Sequence, residues 1–368
     1  MSIESLTEEL HRLIIEETKS ARGGSIQKRP LKPSGMPAAA WIADARISSE
    51  IGKALSIVFS TVGCAYARSA AGGCTMCSYL LDGTQRSPSP EELVQQFMNA
   101  MSKIEGENGP VSVKLYTSGS FLDPGEVPVS ARAAILERLG NDSRVRQVIL
   151  ESRPEYVSHE TMVELRQALG DLEVELGIGL ESSNDLIRSV CINKGFSSED
   201  FRKAVEIAKA HEIGVRAYVL VKPPFLTERD ALLDAKQTID AAEAMGVTTV
   251  SINPVNVQRY TLVERMWSRG EYRPPWLWTV LDVLRNSRKS VRDSINIVCD
   301  PVAAGKLRGA HNCGVCDEAI SQAIRKFSLV QDESVLEGLD CDCLSVWRHV
   351  LEHEDFSLLV HNHGYAGQ

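Results

Sequence analysis

No apolar run in this chain approaches the roughly 18–20 residues that a membrane span needs, so no membrane segment is expected. No secretory leader is expected either. The first residues, MSIESLTEELHRLIIEETK, make an acidic amphipathic helix pattern without a basic start, apolar middle or small-residue cleavage site. A cytoplasmic location is the expectation, and there nine cysteines read as metal ligands or catalytic groups before they read as disulfides. Positive charge is not in excess: 40 Lys and Arg stand against 49 Asp and Glu, a net charge of −9. That balance argues against a protein that coats nucleic acid indiscriminately, but not against a local basic face. Two stretches qualify, one with Lys19, Arg22, Lys28, Arg29 and Lys32, the other with Arg285, Arg288, Lys289 and Arg292. Each reads either as a polyanion contact or as a solvated segment. No sequence repeat of 20–50 residues stands out.

What is present is a rhythm. Residues 1–50 hold the helix and then an extended Pro/Gly/Lys-rich basic segment. From there, β-rich apolar runs occur at 54–59, 111–116, 145–150, 172–180, 215–221 and 247–252. Helical patterns separate them: SPEELVQQFMNAMSKI, SHETMVELRQALG, SSEDFRKAVEIAKAHEIG and TERDALLDAKQTIDAAEAMG. Strands alternating with helices predict βα units on a parallel sheet, open or barrel-like, and several runs read as apolar on both faces. The polar clusters TVGC, TSGSFLD, ESRPE, LESSND, KPPFLTE and NPVNVQ follow the strands and so fall on one rim, where βα architectures place function. The rhythm ends near residue 294. The expected division is 1–50, a barrel over 51–293, and a cysteine-rich segment over 294–368.

Three cysteines, Cys64, Cys74 and Cys77, lie on the loop after the first of these strands. Three thiolates can hold three irons of a 4Fe–4S cluster and leave the fourth iron open to chelate S-adenosylmethionine (SAM). The alternative is a zinc site or scattered buried cysteines, although no histidine stands near them. A second group, Cys299, Cys313, Cys316, Cys341 and Cys343, has His311 beside it. Its Cys-x2-Cys and Cys-x-Cys pairs suit a tetrahedral zinc site with one cysteine spare, the best set being Cys313, Cys316 and Cys341 plus Cys299 or Cys343. A second iron–sulfur cluster is the competing reading. Cys191 stands alone and reads as a small buried hydrophobe.

The loop resembles that of the radical SAM superfamily in its Elp3-like branch, with a long first gap and a closing Cys-x-x-Cys, here CTMC. The resemblance narrows to the archaeosine synthase radical SAM subunits over residues 50–350, carried by GCTMCSY, LYTSGSFLD, ESRPEYV, GLESSND, NKGFS, LVKPPFLTE, NPVNVQ, YRPPWLW, HNCGVCD and CDC. It implies a partial (β/α) barrel with a cysteine-rich, metal-binding C-terminal segment. Met76 would lie near the adenine. Ser118, Gly119 and Ser120 would form the SAM-amine motif, whose usual acid is absent unless Asp123 replaces it. Glu151, Arg153 and Glu181 would contact SAM, with Glu175 in the same fourth-strand motif. The implied reaction cleaves the lysine C–N bond of a lysine-modified 7-deazaguanosine in the tRNA D-loop. The implied partners are tRNA, a lysine-transferring synthase subunit and an electron donor.

Lys222, Asn253, Asn256 and Gln258 are candidates for positioning the substrate, and Tyr272, Trp276 and Trp278 for stacking on a base. Two other functions remain open. One is a different Elp3-like tRNA-modifying enzyme, disfavoured by the absence of a Gly-rich acetyl-CoA motif. The other is a non-catalytic zinc-dependent tRNA-binding subunit.

Overall fold

A computed structural model describes residues 3–28 and 33–354. Eight strands form one sheet in chain order: β1 (Ala39–Ile47), β2 (Glu50–Val58), β3 (Val111–Tyr116), β4 (Val145–Ser152), β5 (Glu173–Glu181), β6 (Gly214–Val221), β7 (Thr249–Pro254) and β8 (Asn296–Cys299). β1 and β2 are an antiparallel hairpin turning at Ser48, whose φ is +52°. Every later neighbour is parallel, which makes an α/β half-barrel.

Among the described residues the α-helices are α1 (Ile3–Arg22), α2 (Ala65–Arg68), α3 (Pro90–Met101), α4 (Val129–Gly140), α5 (His159–Leu169), α6 (Ser198–Ala210), α7 (Glu228–Met245), α8 (Leu262–Ser268), α9 (Leu277–Ser290), α10 (Asp317–Val330) and α11 (Cys343–His353). Their starts follow local chemistry. Ser89 and Glu92 close a capping box on α3, and Ser158 and Ser197 do the same for α5 and α6. α7 ends at Gly246 in the left-handed region, whereas α6 stops at Ala210, short of the expected glycine, because Gly214 already opens β6.

The two faces of the sheet differ, contrary to the expectation of strands apolar on both. The convex face carries Val113, Leu115, Val148, Leu150, Leu176, Ile178, Ala217, Val219, Val250 and Ile252, all fully buried in one core with the helices. The alternate positions face a polar trough: Lys114 and Tyr116, Glu151, Glu175, Arg216 and Tyr218, Ser251 and Asn253. Burial fits this division, since Lys114, Tyr116, Glu151, Arg216, Tyr218, Ser251 and Asn253 are all only half-buried.

Two strands were not expected. β1 lies in what the sequence suggests is an extended segment, and β8 continues the sheet beyond residue 293, taking Cys299 with it.

Candidate functional site

The loop between β2 and α3 holds Cys64, Cys74 and Cys77 at the carboxyl rim of the half-barrel. Cys64 opens α2, and Gly63, Gly72 and Gly73, all at positive φ, turn the chain around it. Gly73 has no room for a side chain: a Cβ there would sit 2.8 Å from the Cβ of Ala67.

Distant parts of the chain hold this loop. Arg22 of α1 donates to the carbonyls of Ala67 (3.2 Å) and Cys77 (3.0 Å). Asn193, left-handed at φ +55° and fully buried, donates to the carbonyls of Ala71 and Gly73, both at 2.8 Å. Its Oδ1 accepts from the Tyr66 hydroxyl at 2.9 Å and lies 3.1 Å from His11 Nε2. A single π-helical turn, Ile187–Ile192, precedes it, and Thr75 donates to that turn's carbonyls at Cys191 (2.7 Å) and Ile192 (2.9 Å). Cys191 itself is buried, as expected of a small hydrophobe.

Burial raises the Cys64 thiol, and burial with the neighbouring Cys74 pushes Cys77 up to about 12. Three thiols on one loop, two of them buried, are a donor set suited to cationic metal. They do not belong to the thiol group that converges on one point. A cubane cluster makes no such demand, because each thiolate meets a different iron.

The predicted SAM-binding residues gather round this loop. A Cβ on Gly119 would lie 2.8 Å from Cys64 Cα, so this glycine lets the loop after β3 touch the first cysteine. Ser118 donates to the Tyr79 carbonyl at 2.8 Å, and Ser120 Oγ lies 3.0 Å from Ser152 Oγ. The acid beside this motif is Glu126, which sequence reasoning did not single out. It is 2% exposed, accepts from Ser120 N (3.1 Å) and Thr61 Oγ1 (2.8 Å), and is pushed up to about 7 by burial. Asp123 is occupied elsewhere, accepting from Gly125 N at 2.8 Å.

Glu151 reaches into the trough and is pushed up to about 8, first by burial and then by the nearby Glu126 and Glu181 against the opposing pull of Lys194. Glu181 sits at φ +63° and accepts from Lys194 Nζ at 2.7 Å; a side chain on Gly179 would strike both groups. Arg153 pairs with Glu155 at 2.5 Å and lies over the Tyr66 and Phe196 rings at 4.9 and 5.4 Å. Met76 packs against the apolar cluster that includes Val255 and Val257. Glu175 is not at the rim. It lies deep in the trough, paired with Arg216 at 2.8 Å and bonded by Thr248 and Thr249.

The substrate-positioning candidates separate. Gln258 accepts from Ser78 N at 2.7 Å, beside Cys77, and donates to Asn256 at 3.3 Å. Asn253 faces the trough near Ser251. Lys222 is 4% exposed and committed to Glu228, 2.6 Å away and fully buried. Tyr272 donates to the Lys222 carbonyl, Trp278 is in the core, and Trp276 lies under the Arg273 guanidinium at 4.2 Å.

Of the basic stretches, Arg288 is buried on main-chain carbonyls and Arg292 pairs with Glu243. Arg22 clamps the cysteine loop, while Arg29 and Lys32 lie outside the described residues.

In the C-terminal segment, the Sγ atoms of Cys313, Cys316, Cys341 and Cys343 all lie within 4.8 Å of one another. Cys313–Cys341 and Cys316–Cys343 are each 3.6 Å apart. Backbone N–H groups of Val315 and Cys316 lower the Cys313 thiol to about 7, and Trp278 Nε1 donates to Cys343 at 3.2 Å. This group can bind a metal. Cys299 is buried in β8, away from it, and His311 turns its Nδ1 to the Gly309 carbonyl at 2.8 Å.

Among the described residues, no helix is long and apolar enough to cross a membrane. No protein-family model matches the chain. A solved archaeal Elp3 from Methanocaldococcus infernus aligns with a TM-score of 0.49 at 16% identity, covering 68% of this chain and 61% of that one. Sequence likeness is much closer. The archaeosine synthase subunit beta of Methanosarcina acetivorans is 43% identical over 325 residues, 88% of this chain and 92% of that protein. The protein of the same name from Thermococcus kodakarensis is 40% identical over 314 residues, 85% and 96% of the two chains. The chain belongs to the archaeosine synthase subunit beta family.

Proposed function

We propose that this chain is the radical SAM lyase of an archaeosine synthase, acting on tRNA whose D-loop 7-deazaguanosine carries a lysine joined through its ε-nitrogen. Its product is the formamidine of archaeosine, and the remainder of the lysine leaves as an aldehyde. The observation that carries the reading is the seat of Cys64, Cys74 and Cys77, on the carboxyl rim of a half-barrel with a polar trough beneath. The names of the relatives support the choice of substrate.

When bound, a 4Fe–4S cluster and SAM supply a 5′-deoxyadenosyl radical, which can take hydrogen from a carbon whose pKa no side-chain base can reach. Cys64, Cys74 and Cys77 would hold the cluster. Arg153 suits a carboxylate through its fork of donors, although Glu155 already shares it. Glu126, Glu151, Glu181 and Lys194 offer acceptors and one cation to an amino acid head group or a ribose. The apolar core seals the convex face of the sheet behind the trough.

The C-terminal thiols are assigned to a structural zinc ion. Tetrahedral zinc with bonds of about 2.3 Å sets its sulfurs about 3.8 Å apart, close to the 3.6 Å found here. A second iron–sulfur cluster would spread four thiolates over four irons and hold them farther apart. The subunit name supports a partner subunit, taken here as the lysine-transferring enzyme; an electron donor completes the system.

The test is anaerobic incubation of reconstituted protein with lysine-bearing tRNA, SAM and a reductant, read by nucleoside mass spectrometry. Formamidine product is expected. SAM cleavage without that product would move the enzyme to another substrate, and colourless protein with zinc alone would favour a tRNA-binding subunit.

A further inference from the structure

Most charged side chains at the rim and in the trough have a partner of opposite sign. Arg216 is held by Glu175, Lys194 by Glu181, Arg153 by Glu155, and Lys222 by the buried Glu228 behind the rim. Lys114, on β3, is a cation without such a partner. Among the described residues it makes no ion pair and no side-chain hydrogen bond. It projects from the concave face, half-buried, in the ladder row of Ile149 and Glu175. Tyr116, two residues on along β3, lies with Glu151, Gly177 and Arg216 one row towards the rim, about 6.6 Å higher.

The groups that face it do not neutralise it. Glu175 is saturated by Arg216, Thr248 and Thr249. Asp300, whose charge also reaches it, pairs with Arg325, and Glu151 stands one row away. Burial and the adjacent Arg216 lower Lys114 to about 8, so the ammonium form is retained at neutral pH but is poorly solvated. Space above the row comes from Gly177 and Gly179, which put no side chain on the trough wall; Tyr218 Oη takes up part of it, 2.4 Å from where a Gly177 Cβ would stand.

We propose that Lys114 is the binding residue for the carboxylate of the amino acid substituent on the substrate base. The assignment rests on the function proposed above. In a lysyl substituent, five carbon–carbon bonds separate the carboxylate from the reacting Cε, about 6 Å when extended. With Cε presented at the rim, the head group therefore falls within the trough. A carboxylate brought there gains a charge-assisted hydrogen bond to an unpartnered cation, at a site where water screens weakly. Lys222, the sequence-level candidate for this role, is already neutralised by Glu228.

The experiment crosses two changes. Lys114→Met removes the charge, and a tRNA carrying 1,5-diaminopentane in place of lysine removes the carboxylate. Dissociation constants are measured without reductant, and KM with it, using the reconstituted enzyme. Wild type should prefer the lysine form by about 10- to 100-fold. Lys114→Met should bind both forms alike, at the level of wild type with diaminopentane, and Lys114→Arg should restore most of the preference. The KM for SAM in uncoupled cleavage should not change. A raised KM for SAM would mean that Lys114 serves the SAM carboxylate, and additive losses would mean that it acts elsewhere; either overturns the assignment. Wild type that converts both forms with equal KM overturns Lys114 but leaves the substrate reading intact. Wild type that cleaves SAM and converts neither form overturns both.

Discussion

A handful of side chains decide whether the cysteine loop can be loaded. Cys74→Ala removes one of three thiols, and the expected result is loss of the visible absorption and bound iron, together with activity. Asn193 is the more informative position, because its amide ties Ala71, Gly73 and Tyr66 together without being a ligand. Asn193→Gly keeps the left-handed backbone open and deletes the clamp. It should lower iron per chain several-fold and reduce stability by about 2 kcal/mol, read by iron analysis and denaturant unfolding. Unchanged loading would show that the loop orders itself without the clamp. Lys222 gives the opposite kind of prediction. Lys222→Met leaves the carboxylate of Glu228 buried beside Trp276 N and Thr279, and so should cost about 3–5 kcal/mol of stability. A stable variant with only a raised KM would return Lys222 to the substrate.

At the scale of elements, the six apolar runs from 54–59 to 247–252 all became strands in their expected order, because β-branched runs punctuated by turn residues are a strong local signal. β1 escaped notice because AAWIADARI is alanine-rich and its hairpin turns on Ser48-Ser49, not an Asn-Gly type pair. β8 escaped because four residues carry little pattern. The polar inner face was misread because glycines at 177 and 179 and long amphipathic side chains such as Lys114 and Arg216 weaken the alternation. The cysteines themselves were legible; their supports were not, since Arg22 and Asn193 meet the loop across 55 and 120 residues of chain. In the C-terminal segment, Cys343 opens α11 and Cys316 precedes α10, so one ion would tie two helices to α9 through Trp278. Cys313→Ala or strong chelation should release about one zinc per chain and lower the melting temperature, with the rim cluster retained. A stable, soluble Cys313→Ala protein that has lost turnover would instead favour a second cluster.

Taken whole, the molecule sets carboxyl groups behind and beneath the rim, Glu126 and Asp234 buried and Glu151 half-buried. Burial raises Glu126 to about 7, Glu151 to about 8 and Asp234 to about 7. Raised folded-state values mean that protonation favours the native state. The contribution is complete below about pH 4, where folded and unfolded chains are both protonated, and it is lost as pH rises through 7 to 8. The cluster-free protein should therefore lose stability between pH 5 and 8, measured as a falling unfolding midpoint, and Glu126→Gln should flatten that decline. A midpoint that rises over this interval would contradict the burial of these groups.

On the proposed function, the rim presents a lysyl carbon to a SAM-derived radical. This is tested most directly with tRNA whose lysine carries deuterium on Cε, incubated anaerobically with SAM, a reductant and the reconstituted protein. Deuterium is expected in the 5′-deoxyadenosine released, in step with formamidine on the tRNA. Unlabelled 5′-deoxyadenosine accompanied by formamidine product would contradict it.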